Sequence, residues 1–80
     1  MLAIKEDQTD FGEAVFNKTQ MLIARYMGAA MDSRNKGNNH LCFVNEAKAE
    51  GVYRLWIEMA SPEDYGKYSK TLLVAMGREL

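Results

Sequence analysis

The apolar positions change rhythm twice along the chain. From Phe11 they recur at three- and four-residue intervals. Phe11, Val15, Leu22, Tyr26 and Ala29 form one stripe; Phe16, Ile23 and Met27 form a second, about 100° further round. This spacing predicts a helix over about residues 11–33, opened by Asp10 and Glu13 at capping-box spacing. Between Leu41 and Met59 the residues become β-branched and aromatic, and an alternating pattern fits them: Leu41 and Phe43, then Tyr53, Leu55, Ile57 and Met59. Gly51 precedes the second run, and a type I turn at Ala49-Glu50 with Gly51 left-handed would join the runs as a β-hairpin. A helix over Asn45–Glu50 competes on propensity, but six residues are too few to stand alone, so the hairpin is preferred.

The flanks complete the pattern. Ser33 to Asn39 is rich in Asn and contains Gly37, which predicts a loop. Ser61-Pro62-Glu63-Asp64 predicts a capped helix start. That helix runs to about Met76, with Tyr65, Tyr68, Leu72, Ala75 and Met76 on one face and Gly77 as its stop. Leu2 and Ile4 alternate with Ala3 and Lys5, which allows a short N-terminal edge strand. The expected fold is a single α+β domain over 1–80, a two-layer α-β-β-α arrangement with an antiparallel β-hairpin packed against two helices.

The hairpin register makes this expectation specific. It pairs Val44 with Trp56, Glu46 with Arg54 and Cys42 with Glu58, and turns Leu41, Phe43, Tyr53, Leu55, Ile57 and Met59 to the core. The other face then carries Val44, Glu46, Val52, Arg54, Trp56 and Glu58, an apolar centre with a charged rim, as the candidate partner-binding surface. The second helix stripe, Phe16, Ile23 and Met27, has no partner in such a small domain and is the candidate for homodimerisation.

Charge narrows the functions. Ten Lys and Arg stand against eleven Asp and Glu, a net charge of −1, which argues against nucleic-acid binding by bulk charge. Residues 1–16 hold Lys5 against Glu6, Asp7, Asp10 and Glu13, one minus four, or −3. Residues 17–40 hold Lys18, Arg25, Arg34 and Lys36 against Asp32, four minus one, or +3. The helix dipole accounts for much of this polarity. The alternative function, a small nucleic-acid-binding regulator, rests on Arg34, Lys36 and His40 in the loop, with Arg54 and Trp56 on the hairpin.

Candidate chemistry is sparse. Cys42 and His40 are single residues of their types, and with Glu58 they fall short of a zinc site or an activated nucleophile. No enzyme activity, metal or cofactor is expected. One cysteine, no long apolar run and no secretory pattern fit a cytoplasmic protein that does not enter a membrane. In size and style the chain is similar to phage-encoded inhibitors of host defence, including anti-CRISPR proteins, although no motif is matched residue by residue. That resemblance implies a protein partner and inhibition by occluding its surface.

Overall fold

The computed structural model describes residues 2–78, with side chains described from Phe11 onward. They form three helices, α1 (Leu2–Asn35), α2 (Asn39–Met59) and α3 (Pro62–Ala75), with no strand among the described residues. The α+β expectation is therefore corrected: the chain is an all-helical bundle, and the proposed hairpin lies inside α2. The optional edge strand over 1–5 is corrected too. Residues 2–5 are the first turn of α1, and Met1 lies outside the described residues. Helix α1 begins well before Asp10, so the expected cap at Asp10 and Glu13 falls within it.

A seven-residue repeat explains why these segments are helical. Phe16, Ile23 and Ala30 are buried at heptad spacing on α1, with Thr19 and Ser33 between and beyond them. Cys42, Ala49 and Trp56 repeat the spacing on α2, with Asn45 and Tyr53 beside them. Two helices with such seams pack antiparallel, knobs into holes. The Asn45–Glu50 segment is thus the middle of a 21-residue helix, and the length objection to it disappears.

The seam tolerates three polar residues because each bonds to its own helix. The Thr19 hydroxyl donates to the Val15 carbonyl (2.7 Å) and the Ser33 hydroxyl to that of Ala29 (2.9 Å). The Asn45 amide donates to the carbonyl of Leu41 (3.0 Å). No buried side-chain nitrogen or oxygen among the described residues lacks a partner.

The α1–α2 turn is compact. Gly37 takes φ 79°, and the Asn38 N–H donates to the Ser33 carbonyl (2.8 Å) while that of Gly37 donates to Arg34 (3.0 Å), a Schellman closure. Asn38 also caps α2, its Oδ1 accepting from the Leu41 N–H (3.0 Å). At the second turn, Pro62 keeps Ser61 extended (ψ 159°), and the Ser61 hydroxyl accepts from the Asp64 N–H (3.1 Å).

Helix α3 then runs back along one side of the α1–α2 pair, starting with Asp64 beside Gly12, and just beyond its end Arg78 ion-pairs with Glu50. Its aromatics fill the wide end of the seam. Tyr68 stacks on Phe16 (centroids 4.1 Å apart), and Tyr65 lies 6.2 Å from Trp56. Leu72 and Met76 complete the core. At 1.5 Å per residue α1 is about 51 Å long, and it sets the 54 Å long axis of the molecule.

Candidate functional site

With α3 on one side, the opposite side of the α1–α2 pair is open. A trough there is lined by Ala14, Val15, Lys18, Thr19 and Leu22 of α1 and by Val52, Leu55, Trp56 and Met59 of α2, with a volume of about 350 Å³. A second hollow of about 320 Å³ shares Val15, Trp56 and Met59 and extends to Phe11, Gly12 and Asp64. The two form one continuous surface. Phe11, Leu55 and Met59 stand 69%, 61% and 60% exposed along it. Helical geometry puts them there: α2 residues 52, 55 and 59, and α1 residues 11, 15 and 22, flank the buried seams on the same side.

Lys18 borders the trough, and the Lys48 ammonium lies 5.8 Å from the Tyr26 ring centre on the same side. Arg25 sits one heptad beyond Lys18. None of these three cations has an ion-pair partner among the described residues. The trough therefore offers apolar carbon with a cationic border, suited to covering apolar surface.

No family model, curated protein or solved structure matches this chain. The site must be read from its own geometry.

That geometry redistributes the residues singled out from the sequence. Trp56, the expected centre of an exposed face, is 2% exposed and belongs to the core. Val44, Glu46, Val52, Arg54, Trp56 and Glu58 share a face only with strand periodicity; on α2 they scatter round the helix. Val52 still lines the trough, and Trp56 forms part of its floor. Glu46 pairs with Arg34 (2.9 Å) and Arg54 with Glu50 (3.2 Å), replacing the expected Glu46–Arg54 pair.

The expected self-association stripe is core as well. Ile23 is fully buried, Phe16 nearly so, and Met27 packs against them. Of the nucleic-acid candidates, Arg34 is paired with Glu46, Lys36 with Asp32 (3.1 Å), and His40 is exposed. Conversely Leu55 and Met59, turned to the core in the sequence reading, are among the exposed apolar residues, as is Phe11 of the first α1 stripe. The signal that could have found them is the heptad 42, 49, 56 matched by 16, 23, 30.

Two titrating groups are displaced. Burial pushes the Tyr53 hydroxyl up, with nearby Tyr65 adding to it. Cys42 and, after it, the Glu46 carboxylate hold the Arg34 guanidinium above its ordinary value. Neither group lies in the trough. Among the described residues no group of three or more His, Cys, Asp or Glu could hold a metal ion, and no helix is long and apolar enough to cross a membrane.

Proposed function

We propose that the chain is a non-enzymatic protein-binding module that accepts an apolar helix of a partner in the α1–α2 trough. The observation that carries this reading is the line of exposed Phe11, Leu55 and Met59 over a floor shared with the core residue Trp56. A helix laid between two others buries apolar residues at three- and four-residue spacing, a mode widely used in protein recognition. The cationic border of Lys18 and Lys48 favours a helix with acidic flanks. The similarity in size and style to phage-encoded inhibitors of host defence adds the proposal that the chain inhibits a target protein by occluding its surface.

The test is a photo-crosslinking residue placed at Leu55, with a second at Val74 as an exposed apolar control on α3. Crosslinks to a polypeptide from position 55 and few from position 74 are expected. Equal yields from the two positions, or crosslinks from position 55 to nucleic acid, would refute the reading.

A further inference from the structure

We infer that the helix received by the trough is α1 of a second copy of this chain, lying antiparallel to the first. This deepens the protein-binding reading and rests on it. Three observations support a second copy. The α1 contribution to the trough, Phe11, Val15 and Leu22, is itself an apolar stripe at helical spacing. Such a stripe can both line a trough and fill the same trough on a twin, the self-complementarity a two-fold dimer requires.

Charge sets the direction. Residues 1–16 carry net −3 and residues 17–40 net +3. A two-fold axis midway between positions 11 and 22 sets Lys18 and Arg25 of each α1 opposite residues 15 and 8 of the other, within its acidic stretch, which parallel packing would not do; Arg34 and Lys36, already paired with Glu46 and Asp32, fall beyond the overlap. It also brings acid towards Lys18, Arg25 and Lys48, the cations beside the trough that have no ion-pair partner among the described residues.

The remaining observation is position. Helix α3 covers one side of the α1–α2 pair, and the trough is where a fourth helix would complete a bundle. The earlier candidate residues for dimerisation, Phe16, Ile23 and Met27, lie on the covered side, so the dimer surface moves about a third of a turn round α1.

Sedimentation equilibrium on the full chain tests this. The wild type should be a dimer, and Leu55→Glu should weaken self-association by at least about a hundredfold, since each interface would then have to bury a carboxylate. Leu55 is largely exposed in the monomer, so far-ultraviolet circular dichroism of the variant should stay helical; Met59→Glu provides a second variant of the same kind. For direction, Phe11→Cys and Leu22→Cys chains, each also carrying Cys42→Ala, are mixed and oxidised. The disulfide should join position 11 of one chain to position 22 of the other.

A monomeric wild type at the highest soluble concentration would overturn the inference, as would a dimer indifferent to both Glu variants. Preferential joining of position 11 to position 11 would overturn the antiparallel arrangement. A monomeric wild type would leave the protein-binding reading standing, because crosslinking from position 55 to another polypeptide tests that separately.

Discussion

Replacing Gly51 with alanine should stabilise the protein. Gly51 lies in the middle of α2 at a negative φ, positive values being confined to Gly37 and Gly77 among the described residues. A Cβ built on Gly51 meets nothing within 4 Å. The substitution then changes only helix propensity, worth about 0.8–1.0 kcal/mol in favour of alanine. For a domain of this size that raises Tm by about 4–8 °C per kcal/mol. Were residues 41–59 a hairpin with Gly51 left-handed at its bulge, the same change would cost about 1–2 kcal/mol. The two architectures thus differ in sign as well as size. Urea denaturation followed at 222 nm measures it, with the m-value checking that the unfolding transition itself is unchanged. Gly28→Ala and Gly66→Ala, in α1 and α3 with equally open surroundings, should behave alike. Gly37→Ala should destabilise, because its φ of 79° strains any residue with a Cβ. A lower midpoint for Gly51→Ala would refute the helical account of this segment.

Other perturbations probe other parts of the fold. Trp56→Ala should cost about 3–5 kcal/mol by emptying the wide end of the core, with thermal melting as the readout; a variant that melts like the wild type would remove Trp56 from the interior. Ser61→Ala should cost about 1 kcal/mol through loss of the α3 cap, and urea midpoints would report it. For Tyr53, burial raises the folded pKa above the unfolded value of about 10. Its contribution is fully present below about pH 10 and is lost as pH rises through the folded value, so stability should fall in alkali, and less steeply in Tyr53→Phe.

How much of this was legible in the sequence varies with the kind of signal. The third helix was readable because Ser61, Pro62, Glu63 and Gly77 each act locally, through a cap, a fixed φ, a dipole and a left-handed stop. The turn at Gly37 was readable for the same reason. The second helix was not. Its run Val52–Met59 has strand-like composition, and Tyr53, Leu55, Ile57 and Met59 satisfy an alternating pattern. They do so by coincidence with the helical set Val52, Tyr53, Trp56 and Ile57, which is the set that packs on the core or joins it. Choosing the wrong period inverted the whole surface, so that Phe43, 70% exposed, was read as interior and Trp56 as exterior. On α1 both stripes are present at helical spacing, but which of them is buried depends on where α2 and α3 lie. That is tertiary information, and it decides the location of the trough.

The taper of the α1–α2 seam bears on how the chain folds. Near the turn the seam holds Ala30, Ser33, Cys42, Asn45 and Ala49; at the far end it holds Phe16, Tyr53 and Trp56. Joining the two helices needs only the short loop at Lys36–Asn38, so the first interhelical contacts cost little chain entropy. Closure is expected to begin where the side chains are small and the separation along the chain is short, then to advance like a zipper towards the aromatics. The aromatic end has to wait for Tyr65 and Tyr68 to arrive with α3. Native-state amide exchange should then grade along α2, slow near Asn45 and faster near Trp56, with α3 opening before either.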